Sequence, residues 1–122
     1  MQLTRDAAAV HPIRAWEPGR VRIADRWVAG NVIVGSDRVI EGWTTIEPHR
    51  LTIIELEPAL ALEPTILVLG TGSEQLLPDV ELMAALAARS VGVEIMSTRA
   101  ACRTFNVLLQ EQRRVVAALF NP

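Results

Sequence analysis

Apolar and polar positions repeat with different periods in the two halves of the chain. In the N-terminal part, Val21 and Ile23 alternate with Arg20, Arg22 and Ala24, the period of two expected of a strand buried on one face. Ile13 to Trp16 comes before it, and Pro18-Gly19 between them fits the centre of a turn, where proline fixes φ and glycine supplies a positive φ. A hairpin is predicted there. After a break at Asp25-Arg26 the apolar pattern resumes from Trp27 to Val34, and Gly35, Ser36 and Asp37 turn the chain into Arg38 to Trp43. Residues 13–43 are therefore read as an antiparallel β meander.

Residues 44–64 are irregular, interrupted by Pro48, Pro58 and Pro64. Thr52 and Glu55 have capping-box spacing, but the helix they would start contains Pro58, which removes a hydrogen bond and crowds the preceding turn. The expectation is instead a short helix beginning at Pro58. Residues 65–120 read as β-α-β-α-β. Thr65 to Leu69 is an apolar strand ending in Gly70-Thr71-Gly72. A helix from Asp79 to Ser90 carries Leu82, Met83 and Leu86 on one stripe, with Gly92 as its stop. Val93 to Met96 is a strand, Ser97 or Thr98 caps a helix reaching Arg113, and Val115 to Phe120 closes the chain. Such alternation favours parallel strands joined by right-handed crossovers, with the helices lying on the sheet. The fold class expected is α/β, one domain over residues 1–122, the meander extending that sheet or packing beside it.

Composition narrows the functional classes. A chain of 122 residues can build one core without disulfides or metals. Half of it is hydrophobic, yet apolar runs such as Ile66 to Leu69 and Val115 to Phe120 fall far short of the roughly 20 residues that cross a bilayer. Arg5 and Asp6 flank only Ala7 to Val10, too short and polar a stretch for a signal peptide, so a cytoplasmic location without membrane insertion is expected. A net charge of −2 with no basic run argues against nucleic acid as a partner. The absence of Lys and Tyr removes the Walker-type and Schiff-base lysines and any Tyr/Lys acid pair. The single cysteine, Cys102, has no partner for an internal disulfide.

A more specific signal is spread over the C-terminal half. Leu69-Gly70-Thr71-Gly72, then Val93-Glu94-Ile95-Met96 with Thr98, Ala101, Thr104-Phe105-Asn106, Glu111 and Arg113, and finally Val116-Ala117-Ala118-Leu119, together resemble a small domain family of largely unknown function. Its best-described eukaryotic members are mitochondrial complex I assembly factor three and the adipogenesis-associated domain-containing protein. The resemblance implies a three-layer α/β domain with a mixed central sheet, one face of which is partly covered by a further β layer. It carries no agreed enzymatic activity, and implies assembly assistance through protein contacts. Two positions depart from the pattern: Ser97 stands where Asp is usual, and Gln112 where a helix-stopping Gly is usual.

Candidate chemistry is sparse. Gly70-Thr71-Gly72 after a strand, with Glu94 on the next strand, suggests a dinucleotide fingerprint, but its third glycine position is Gln75 and Pro78 delays the helix. A tight loop is the preferred reading. On the helix from Thr98, residues Arg99, Arg103, Asn106, Gln110 and Arg113 form a polar stripe, either a solvated face or a contact site for an anionic ligand or acidic partner. Cys102 adjoins the apolar face and is read as buried and inert. His11 and His49 share no ligand spacing, so no metal is expected, and no cofactor. Trp16, Trp27 and Trp43 are expected to fill space between sheet layers.

Two functional readings result. The first is a non-enzymatic accessory or assembly factor acting on a protein partner, with no catalytic residues. The alternative is a binder of, or enzyme on, a small anionic metabolite. Its crevice would be formed by Gly70, Thr71, Gly72, Thr98, Arg99 and Arg103, supported by Thr104, Asn106, Glu111 and Arg113. Positive mean hydropathy in so small a chain also admits a homodimer.

Overall fold

The computed structural model describes residues 11–121. Strands β1 (Ile13–Glu17), β2 (Arg20–Ile23) and β3 (Arg26–Ala29) form an antiparallel sheet in that order. The Pro18-Gly19 turn forms as expected, with Gly19 at φ 89°. Strand β4 (Val32–Val34) does not continue β3 but leaves for a second sheet, so the apolar stretch from Trp27 to Val34, expected within one meander, is divided between two sheets. The break is Gly30, at φ 81°, whose N–H bonds to the Gly19 carbonyl at 2.9 Å. An apolar alternation does not register a residue that changes sheet.

The second sheet adds β5 (Val39–Glu41), β6 (Ile66–Gly70), β7 (Gly92–Met96) and β8 (Val115–Leu119), in the order β5-β4-β8-β6-β7. Strand β4 is antiparallel to β5 and β8, whereas β6 is parallel to β7 and β8, so the sheet is mixed. It is the middle of three layers. Val115, Ala117 and Leu119 of β8 face one core with Val32, Val34 and Val68, while Val116, Ala118 and Phe120 face the other with Ile33, Leu67 and Leu69, as the alternation of side chains in a strand requires. The first core is closed by the three-stranded sheet and helix α3 (Thr98–Gln110), through Val21, Ile23, Ala101 and Phe105. The second is closed by α1 (Ile53–Leu60) and α2 (Val80–Ala88), through Leu56, Leu60, Leu82 and Leu86. Fully burying a side chain such as Leu56 or Phe105 stabilises by roughly 1.5–3 kcal/mol.

Helix α1 corrects the expectation of a helix starting at Pro58. The capping box forms: Glu55 Oε1 accepts the Thr52 N–H at 2.7 Å, and Thr52 Oγ1 accepts from the Ile54 N–H at 3.3 Å. Pro58 sits inside the helix. It deprives only the Ile54 carbonyl of a donor, on a face where Ile54 and Pro58 are exposed to solvent, and burial of Leu56, Ala59 and Leu60 outweighs the loss. Arg89 after α2 then grips Glu57 with both guanidinium nitrogens, at 2.5 and 3.2 Å.

Helix ends carry a further correction. Gly92 is not the stop of α2 but the first residue of β7. The left-handed residue is Ser90, at φ 59°, with Ser90 N–H on the Ala87 carbonyl and Val91 N–H on that of Leu86. At α3 the same motif closes on Gln112, φ 62°, with N–H bonds from Gln112 to Leu109 and from Arg113 to Leu108, both 3.0 Å. The helix stops where a glycine would stop it, although the residue is glutamine.

The tryptophans divide. Trp43 packs on Phe120 with centroids 5.0 Å apart and donates to the Leu119 carbonyl at 3.1 Å, and Trp16 packs against the first core. Trp27 instead lies on the surface under Arg20, 4.1 Å from the ring centre, because its position in β3 faces away from the core that Val28 enters. The stretch around Arg5 to Val10, read above against a signal peptide, lies outside the described residues.

Candidate functional site

The parallel pairing of β6 with β7 sets Gly70 beside Met96, so the loop leaving β6 and the start of α3 emerge at one sheet edge. Gly70 has no room for a side chain: an added Cβ would lie 2.9 Å from Leu119 Cδ2 and 3.0 Å from Thr98 Cα. Thr71 donates its N–H to the Met96 carbonyl at 2.9 Å, and its hydroxyl holds the next turn, donating to the Glu74 carbonyl at 2.6 Å and accepting from the Leu76 N–H at 2.9 Å. Gly72, at φ 102°, exchanges two bonds with Thr98: its N–H donates to Thr98 Oγ1, and the Thr98 N–H donates to its carbonyl, both at 2.8 Å.

Gly72 and Thr98 are therefore in direct contact, and both are buried. The cap of α3 is Ser97, whose hydroxyl accepts from Ala100 N–H at 3.3 Å and whose carbonyl accepts from Ala101 N–H at 2.8 Å. The Thr98 and Ala100 N–H groups in the first turn of α3 are thus bonded within the protein, and the Thr98 side chain joins elements instead of facing a crevice.

The open space lies on the other side of the loop. A cleft of about 460 Å³ is lined by Asn31, Ile46, Pro48, Thr71, Leu76 and Phe120 among others. Leu76 of the β6–α2 connection lines it, and beyond Leu76 the connection and the start of α2 present Leu77 and Val80 to solvent, at 74% and 80% exposure. This segment is held in place, since Gln75 Nε2 donates to the Ile95 carbonyl at 2.8 Å. Sequence reasoning missed this patch; the adjacent Leu76-Leu77 ahead of Pro78, outside any periodic segment, is the signal that could have found it.

Arg99 and Arg103 are not at the loop. They line a separate groove of about 370 Å³ between α3 and β1, with Arg14, Trp16, Cys102 and Asn106. Arg99 stands 6.0 Å from the centre of the Trp16 ring. Asn106 is the clamp that makes this groove: its Oδ1 accepts the Ile13 N–H at 2.9 Å and its Nδ2 donates to the Ile13 carbonyl at 2.7 Å. Thr104 donates to Met96 Sδ at 3.2 Å, and Glu111 and Arg113 flank the helix stop, 4.0 Å apart. Burial pushes the Cys102 thiol up to about 12, so it holds its proton near neutrality. Among the described residues no three His, Cys, Asp or Glu side chains converge as metal ligands.

The family described as Protein of unknown function (DUF498/DUF598) matches residues 13–120. The chain is 31% identical over 122 residues to the NADH dehydrogenase [ubiquinone] 1 alpha subcomplex assembly factor 3 of Danio rerio, covering 98% of this chain and 70% of that protein. It is 40% identical over 85 residues to the 13 kDa major membrane protein of Francisella tularensis subsp. holarctica, 69% of each. No helix among the described residues is long and apolar enough to cross a membrane. The crystal structure of a Bordetella parapertussis protein superposes with a TM-score of 0.86 at 34% identity, covering 93% of this chain and 98% of that one. With the fold, the order of motifs and these likenesses in agreement, the chain belongs to the DUF498/DUF598 family of proteins of unknown function.

Proposed function

We propose that the protein is a non-enzymatic accessory or assembly factor that docks a protein partner on the patch formed by Leu76, Leu77 and Val80 and the cleft beside it. The observation that carries this reading is the exposure of Leu77 and Val80 on a segment pinned by Gln75 and Thr71. Exposed apolar side chains on a hydrogen-bonded segment that borders a cleft suit a docking surface, because less ordering entropy is lost on binding than by an unsupported loop. The name of the Danio rerio relative, an assembly factor, supports the same reading.

A cytoplasmic location belongs to the proposal, and since the Francisella relative is called a membrane protein, fractionation of the native host is its test. A homodimer through the same patch is distinguished by sedimentation of the purified chain across concentration. The docking role itself is tested by affinity capture with the wild type and with a variant carrying charge at Leu77 and Val80. Only the wild type should recover a stoichiometric partner.

A further inference from the structure

We propose that a small cavity beside Trp16 and Asn121 is a carboxylate-binding site. The cavity, about 240 Å³, is walled by Trp16, Pro18, Gly19, Gly72, Ser73 and Asn121. Among the described residues two buried side-chain N–H groups have no acceptor, Trp16 Nε1 and Asn121 Nδ2, and the two residues that carry them both line this one cavity. A buried donor left unpaired costs about 1–3 kcal/mol, and native proteins keep few of them. Two such donors on residues of one small cavity, brought from opposite ends of the chain, are what a single acceptor bound there would satisfy.

The geometry around Asn121 is built. The residue is 3% exposed. Its backbone N–H donates to Asn31 Oδ1 at 2.7 Å, and its own Oδ1 accepts the Gly19 N–H at 3.3 Å. The Gly19 bond also fixes which amide atom is the nitrogen, because a backbone N–H needs an oxygen opposite it. Trp43 gives the contrast: its indole N–H reaches the Leu119 carbonyl at 3.1 Å, whereas that of Trp16 reaches nothing.

Charge selects a carboxylate over a neutral carbonyl. Trp16 also walls the groove of Arg14, Arg99 and Arg103, so the two spaces adjoin across the indole. None of these arginines enters a described ion pair, and no Asp or Glu lines the cavity or the groove. An oxyanion there accepts from both N–H groups and lies in the field of three guanidinium groups that have no carboxylate partner among the described residues. On its other side the cavity shares Gly72 and Ser73 with the larger cleft. A partner segment with an apolar side chain in the cleft thus reaches the cavity with an acidic group across Ser73. Only this source of the carboxylate rests on the docking reading; the site itself does not.

The test follows the three indole N–H resonances in a proton–nitrogen correlation spectrum of the isotope-labelled full chain, titrated with sodium acetate, acetamide or sodium chloride. Acetate should move the Trp16 resonance downfield to saturation and leave Trp27 and Trp43 in place, with acetamide and chloride without effect. Asn121→Asp keeps an oxygen for Gly19 but removes the donor, and should weaken acetate binding about tenfold or more. Arg99→Gln, on the surface, should weaken it about threefold with the fold intact. A Trp16 resonance indifferent to acetate, an equal response to acetamide or chloride, or an Arg99→Gln and an Asn121→Asp chain that both titrate like the wild type overturns the proposal. A capped peptide of one leucine and two glutamates binding at least about tenfold tighter than acetate assigns the carboxylate to a partner segment; equal affinity assigns it to a free small carboxylate. Failure of the docking reading alone would leave the acetate response in place.

Discussion

The hydroxyl of Thr98 accepts the amide N–H of Gly72 at 2.8 Å. The same hydroxyl donates to the Phe120 carbonyl at 2.5 Å, so one buried oxygen joins the β6–α2 loop, the start of α3 and the end of β8. Thr98→Val keeps the shape but strands the Gly72 N–H and the Phe120 carbonyl, and should destabilise by about 2–4 kcal/mol. Thr98→Ser retains the bonds and should lose about 1 kcal/mol, for the missing methyl group. Urea unfolding of the three chains decides between this joint and a mere space-filling role, for which Val would be the milder change.

Gln112 occupies the left-handed stop of α3 at φ 62°, a conformation that costs a residue with a Cβ about 1 kcal/mol relative to glycine. Gln112→Gly should therefore raise stability by about 0.5–1 kcal/mol. Equal or lower stability in the glycine variant would show that the Gln112 side chain contributes something the backbone geometry does not reveal.

Cys102 titrates at about 12 in the folded chain against an ordinary 9.0, because burial disfavours the thiolate. The folded state thus holds a proton that the unfolded state releases above pH 9.0, and the fold should lose stability as pH rises from there toward 12. Cys102→Ala should flatten that part of the stability–pH curve. At pH 8 a disulfide reagent should label the thiol in denaturant and leave it unlabelled in buffer.

Much of the architecture was legible because it rests on local rules. Pro18-Gly19 specifies its own turn, and the strand–helix alternation from Ile66 to Leu119 constrains the parallel pairing of β6 with β7 and β8. Three features were not, because in each the local residue pattern does not report what the chain does there. Pro58 argued locally against a helix that the buried face of Leu56, Ala59 and Leu60 imposes. Gly30 divides an apolar run between two sheets. Ser90 and Gln112 take left-handed positions without glycine.

The site was legible only in pieces. The sequence brought Gly72 and Thr98 together correctly, but their side of the loop is filled by mutual hydrogen bonds. Arg99 and Arg103 were read as part of that same edge, yet the turn of α3 carries them into the groove that Asn106 builds against Ile13. The relation between Trp16 and Asn121 has no local signal at all, since it depends on how β1 and the chain end after β8 meet.

Docking on the Leu77 and Val80 patch is decided by quantitative affinity capture from the native host with the wild type and Leu77→Asp/Val80→Asp. Both positions are exposed, so the pair should leave stability within about 0.5 kcal/mol of wild type, a control read by urea unfolding. The account predicts a stoichiometric protein partner with the wild type and at least a tenfold loss, about 1.4 kcal/mol, with the variant. Equal recovery by both chains, or a wild type that yields a bound small metabolite and no protein, would contradict it.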